Sequence, residues 1–220
     1  MLLKDDFTVT ISGPSKSGKT NLILHMLENA DKCFTRFPSK IYICFGCEQP
    51  FYEEFRKFNV PLILHRGVLK DPPKDALIIF DDLQREHATI TDYMTKYSHH
   101  NSLSIFYITQ NIFRKDNREI TLNCDYIILF SSWRDKKQIS ILGSQISPGD
   151  SKWIVKSFTD ATGKPHSYLL FDFTQQTPDT FRLRDNVNTN LTHYYVNKDA
   201  YEFLDIRKEF PNDMARLGLV

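Results

Sequence analysis

Along the chain, short apolar runs alternate with stretches in which hydrophobic residues return every three or four positions. That pattern predicts strands alternating with helices, and so an α/β protein with a parallel sheet. Residues 7–12 read as the first strand, followed by a helix over 19–29 with Leu22, Ile23, Met26 and Leu27 on one face. Residues 40–45 read as a second strand, 51–57 as a short helix, and 61–65 as an extended piece ahead of the turn Asp71-Pro72-Pro73. The run 76–80 is apolar throughout and ends in two aspartates, as expected of a strand buried on both faces. A helix over 89–97, central strands over 104–109 and 126–130, and helices over 135–143 and 150–158 follow. The turn Thr162-Gly163-Lys164-Pro165 leads into a strand over 167–173, with 181–184 beside it as a C-terminal β-hairpin. Residues 1–187 are expected to form one domain and 188–220 a C-terminal extension with an amphipathic helix at 200–210.

Between the first strand and the first helix lies Gly13-Pro14-Ser15-Lys16-Ser17-Gly18-Lys19-Thr20, a full match to G-x-x-x-x-G-K-[ST]. Such a loop wraps a triphosphate with inward-pointing backbone N–H groups, which requires glycine's close approach and unusual dihedrals. The helix that follows adds its own unpaired N–H groups and the positive end of its dipole. Lys19 is expected to reach the β- and γ-phosphates of ATP, and the Thr20 hydroxyl to bind Mg²⁺.

Leu77-Ile78-Ile79-Phe80-Asp81-Asp82 has the form of a Walker B strand, which delivers carboxylates to the edge of the sheet. Asp81 is expected to hold Mg²⁺ through water, and Asp82 to act as general base on the attacking water. The strand 104–109 ends in Gln110-Asn111, which places an amide beside the phosphate strand, where Gln110 would sense the γ-phosphate and orient water.

Other nucleotide chemistries leave weaker traces. Asn197-Lys198-Asp199-Ala200 lacks the aspartate of a GTPase N-K-x-D motif, and Asp160-Ala161-Thr162-Gly163 fits D-x-x-G but follows no buried strand. Arg114, Lys115 and Arg118 cluster after the sensor strand, which keeps a nucleoside or nucleotide kinase with a basic lid as an alternative. A nucleotide-regulated assembly module with little turnover is a second alternative.

Composition changes this picture little. The chain has 220 residues, 41% of them hydrophobic and 25% charged, which suits one globular domain with a full core. The 28 basic and 27 acidic side chains nearly cancel, so any DNA contact must be local. No apolar run reaches membrane-span length, so no membrane is required, and strand-like sequence from Phe7 leaves no space for a signal peptide. The protein is therefore expected inside a host cell, in nucleus or cytoplasm, or with a virion, and not secreted. Cys44 and Cys47 form a C-x-x-C pair, but Cys33, Cys124 and His65 show no spacing to complete a zinc site, so both are read as small residues closing a strand.

The segment Asp81-Asp82-Leu83, followed by the run from His99 through Tyr107-Ile108-Thr109-Gln110-Asn111 to Phe113, resembles the genome-packaging ATPases of the FtsK–HerA superfamily. The nearest likeness is to those of Polinton/Maverick-type elements, adintoviruses and related double-stranded DNA viruses. It continues through Leu122-Asn123, Tyr126-Ile127-Ile128-Leu129-Phe130, Arg134-Asp135 and Gln138-Ile139, then Tyr168-Leu169-Leu170-Phe171-Asp172 and the stretch from Pro178 to Arg184. The resemblance implies a P-loop NTPase core of RecA-like (ASCE) type and a ring of identical subunits, pentameric or hexameric. It further implies translocation of double-stranded DNA into a preformed capsid at its vertex. It also implies an arginine finger donated by a neighbouring subunit. The superfamily often carries that arginine just before the sensor strand, where this chain offers Lys96, His99, His100 and Asn101. Arg134 is the first choice for the finger and Arg85 the second. Arg114, Lys115 and Arg118, or Lys136 and Lys137, would grip DNA phosphates without reading sequence.

Overall fold

A computed structural model describes residues 3–197 except 84, 115, 116, 135 and 190. The amphipathic stretch 200–210 lies outside the described residues.

Nine strands form one sheet: β1 Thr8–Ser12, β2 Ile41–Phe45, β3 Leu62–Arg66, β4 Ala76–Asp81, β5 Leu103–Thr109, β6 Tyr126–Phe130, β7 Tyr168–Asp172, β8 Leu183–Asp185 and β9 His193–Tyr195. Their order is β3-β2-β4-β5-β1-β6-β7-β8-β9. From β3 to β6 every pairing is parallel, and from β6 onward every pairing is antiparallel. The expected C-terminal hairpin is present as β7 and β8. Beyond it β9, past residue 187, adds a further strand to the same sheet. The extended piece at 61–65 is the edge strand β3.

The helices are α1 Lys19–Glu28, α2 Ala30–Cys33, α3 His87–Asp92, α4 Ser98–His100, α5 Arg118–Asn123, α6 Lys137–Ile146 and α7 Lys152–Ala161. The short helix expected at 51–57 is a 3₁₀ helix, Pro50–Lys57, with proline at its start, where no N–H is needed. The helix expected over 89–97 is longer. α3 runs through a π-helical turn, Tyr93–Tyr97, into α4, and the Tyr93 ring meets Phe80 and Tyr97 edge-on at 5.2 and 5.3 Å. The helix expected over 135–143 starts two residues later and runs on to Ile146.

Alternation along the strands sorts side chains onto two faces. Leu77 and Ile79 of β4 join Ile41, Ile43, Val9 and Ile11 beneath α1 and the 3₁₀ helix. Ile78 and Phe80 face the other way, with Ile105 and Tyr107, against Ile90, Ile120, Ile139 and Ile154 of the remaining helices. The result is a three-layer α/β/α arrangement. In the antiparallel part, a fully buried ion pair joins Arg184 of β8 to Asp172 of β7 at 2.7 Å. Thr174 and Thr177 also donate to that carboxylate.

Parallel strands all end at one edge. β5 lies between β1, which leads into the glycine-rich loop, and β4, which carries Asp81. With neighbouring strands about 4.8 Å apart, that edge sets the loop, the end of β5 and Asp81 side by side within about 10 Å.

Candidate functional site

At this edge opens a cleft of about 440 Å³ lined by Lys16, Lys19, Thr20, Asp81, Asp82 and Gln110, among others. Three separately predicted pieces, the phosphate loop, the paired aspartates and the end of the sensor strand, thus meet at one place. Pro14 is exposed beside it, and Gly13 is buried at the end of β1, its N–H donating to the Thr109 carbonyl at 3.3 Å. A larger cavity, of about 710 Å³, lies among α6, α7 and β7 and contains none of these residues. Lys19, Thr20, Asp81, Asp82 and Gln110 line the smaller one.

Lys19 starts α1, so its ammonium returns over the loop and donates to the carbonyls of Gly13 and Pro14, both at 2.8 Å. Burial pulls its pKa below the ordinary lysine value, against the opposing pull of Asp81 and Asp82. The hydroxyl of Ser17 is buried and finds no hydrogen-bond partner among the described residues. An orphaned donor inside a loop of this shape fits an anionic ligand.

Parity decides where Asp81 points. Two and four residues after Ile79 and Leu77, it falls on the α1 face of the sheet. There Oδ2 accepts from the Tyr52 hydroxyl at 2.9 Å and from the Thr20 hydroxyl at 3.3 Å. Burial pushes the Asp81 carboxyl above the usual carboxylate range, while the Tyr52 and Thr20 donors and the Lys19 ammonium hold it down. A hydroxyl and a carboxylate this close are hard oxygen donors that suit Mg²⁺. Because that ion keeps several waters and takes substrate phosphates, two protein oxygens suffice. Among the described residues no cluster of three or more histidine, cysteine or acidic side chains forms a closed metal cage.

Asp82 is exposed in the cleft and adopts the left-handed region, φ 55°. Lys16 does the same at φ 64°. Strained backbone concentrates where the surrounding structure holds side chains for a purpose.

Gln110 extends β5 into the cleft. Its loop is anchored from beneath by Asn117, fully buried, whose Nδ2 donates to Thr109 Oγ1 at 3.1 Å and to the Asn111 carbonyl at 2.7 Å. The Tyr107 hydroxyl donates to Asn117 Oδ1 at 3.0 Å.

Not every predicted residue joins the cleft. Arg134 is exposed in the turn after β6, and Arg85 is exposed after the two aspartates; neither lines the cleft of its own chain. Lys136 lies 4.4 Å over the ring of Trp133, which is 86% exposed. Arg118 is exposed at the start of α5, while Lys115 lies outside the described residues. Cys44 is buried in β2 and Cys47 is exposed beyond it, so the two thiols of the C-x-x-C pair occupy different environments.

Sequence reasoning missed Tyr52, Asn117 and His166, which also lines the cleft. None belongs to a local motif. Each reaches the site through a fold contact spanning from 8 to 149 residues.

No family model matches the chain, and no curated protein matches it. Solved structures do. One is the genome packaging NTPase B204 of Sulfolobus turreted icosahedral virus 2 in complex with sulfate: 20% identity, TM-score 0.50, covering 79% of this chain and 94% of that one. Another is the DNA-packaging ATPase B204 of Sulfolobus turreted icosahedral virus: 17% identity, TM-score 0.54, covering 89% of this chain and all of that one. At such identities the likeness is one of fold, and this chain has the mostly parallel, helix-flanked α/β fold of these two packaging enzymes.

Proposed function

We propose that this protein is an ATPase that drives double-stranded viral DNA into a preformed capsid. The observation that carries the reading is the order β4-β5-β1, which gathers the phosphate loop, Asp81 and Gln110 at one sheet edge. The likeness of its fold to two viral packaging enzymes supports the DNA-translocating use of that site.

In this reading the loop from Gly13 to Thr20 binds the triphosphate of ATP. Lys19 exchanges the Gly13 and Pro14 carbonyls for phosphate oxygens, a trade of like partners that costs little. Thr20 and Asp81 hold Mg²⁺, which supplies charge neutralisation to the phosphates. Asp82 takes a proton from the attacking water, and Gln110 orients that water in line with the γ-phosphate.

Several finer features belong to the same proposal. The working form is a ring of identical subunits at the capsid vertex. An exposed arginine, Arg134 before Arg85, enters the neighbour's cleft. Basic side chains near Arg118 and Lys136 touch DNA phosphates. In the same reading the protein is kin to the packaging enzymes of Polinton and adintovirus type, and it works in the host cell interior or on the virion.

The deciding experiment is ATP turnover of the purified protein with and without double-stranded DNA, beside Lys19→Ala and Asp82→Asn. Turnover that rises with DNA and disappears in both variants is the expected result. Turnover indifferent to DNA but raised by a nucleoside acceptor would overturn it.

A further inference from the structure

Because β7 runs against β6, its first residue, Tyr168, pairs with Phe130, the last residue of β6. The loop that feeds β7 therefore arrives at the edge where the parallel strands end. His166 is in that loop, at φ 62°, and its Nδ1 lies 3.0 Å from the carbonyl oxygen of Ser17. A carbonyl only accepts, so Nδ1 carries the proton and donates. The imidazole also covers Gly18, where φ is 101°; a side-chain carbon there would be strained and would stand 3.3 Å from His166 Nδ1. His166 thus lines the cleft together with Gly18, Lys19 and Thr20.

The Ser17–Gly18 peptide is planar, so its C=O and N–H point in opposite directions. Holding the oxygen fixes the direction of the Gly18 N–H. Lys16, two residues before, is also in the left-handed region, so this loop has a backbone that a free peptide would rarely adopt. An anchor from a distant part of the fold is what keeps such a shape populated.

We infer that His166 is a positioning residue for the nucleotide: its Nδ1–H bond to Ser17 holds the Ser17–Gly18 peptide in one orientation before ATP arrives. The inference rests on the nucleotide reading above. Preorganisation reduces what must be ordered on binding, so its loss appears in affinity. Turnover at saturating ATP, which depends on Asp82 and Gln110, is left nearly unchanged.

The test compares the full-length protein with His166→Ala and His166→Asn. Asparagine keeps an N–H donor near the position of Nδ1. ATP affinity is measured by calorimetry, kcat and KM by phosphate release, and folding by thermal melting. The expected result is that His166→Ala raises Kd and KM together by about five- to tenfold, the effect of losing one preorganising hydrogen bond. Its kcat stays within about twofold, and His166→Asn recovers most of the affinity. Unchanged affinity in His166→Ala would overturn the inference, as would an equal loss in both variants or a fall in kcat alone. A wild-type protein that binds no ATP would instead overturn the nucleotide reading itself, so the two failures are distinguishable.

Discussion

Gly46 packs so closely on Asp82 that a side-chain carbon at Gly46 would stand 2.4 Å from the Asp82 carbonyl oxygen. The Gly46 N–H also donates to the Asp81 carbonyl at 3.1 Å. The end of β2 is therefore a mould for the turn that presents both aspartates, and it works only without a side chain.

Gly46→Ala is expected to push that turn out of place. Overpacking of this kind costs about 1–3 kcal/mol of stability. The larger effect falls on chemistry, because displacing reacting groups by about 1 Å costs roughly a hundredfold in rate. Thermal melting and ATP turnover on the same preparation check this. Wild-type turnover in the variant would show that Asp82 needs no fixed placement.

Tyr52→Phe removes the 2.9 Å hydrogen bond to Asp81 and leaves the ring, which is fully buried. Losing a hydrogen bond to a charged group costs about 1.5–3 kcal/mol. Asp81 is then held by Thr20 alone on that oxygen, at 3.3 Å. The expected outcome is a several-fold higher Mg²⁺ concentration for half-maximal turnover, measured by titrating the metal at fixed ATP. An unchanged metal requirement would assign Tyr52 to packing only.

Asn117→Ala deletes the anchor beneath Gln110 and removes one hydrogen-bond partner each from the Tyr107 hydroxyl, the Thr109 hydroxyl and the Asn111 carbonyl. Stability should fall by about 2–3 kcal/mol, the scale of losing three buried hydrogen bonds at about 1 kcal/mol each. ATP affinity should hold, since the phosphate loop is untouched, while kcat falls. Urea unfolding and a kcat-against-KM comparison separate the two effects.

Of the four cysteines, Cys33, Cys44 and Cys124 are buried, and burial pushes each thiol up to about 12. A raised pKa means the thiolate is nearly absent at pH 8, so these three are protected by both access and ionisation. Cys47 is exposed. A thiol reagent at pH 8 should label one cysteine rapidly in the folded protein and the rest only after denaturation. Peptide mapping identifies which, and rapid labelling of Cys44 would contradict its place in β2.

The fold was legible where one strand carries one signal. The apolar runs at 76–80 and 126–130 are buried on both faces of the sheet and match β4 and β6 closely. β9, with three residues, and α5, with six, are too short for any period to register. The phosphate loop and the two aspartates were legible because each is a compact motif whose geometry is local. The supports of Asp81 and Gln110 were not. Asn117 lies only 6 to 10 residues from its partners, in a loop that no motif marks, whereas Tyr52 is tied to Asp81 by the sheet's order, a long-range property of the chain. The same holds for His166, which reaches the phosphate loop only because β7 is antiparallel.

The sheet's direction gives the molecule two rims with different tolerances. Where the parallel strands finish, the ends of β1, β4 and β5 open into the cleft. Where they begin, the chain is tied by ordinary turn contacts, such as Asn101 donating to the carbonyls of Pro72 and Pro73 and Asp125 accepting from Thr8. That starting rim is the place to attach a fluorophore, a tether or a fused domain. A handle grafted there holds the protein by the side its chemistry does not use.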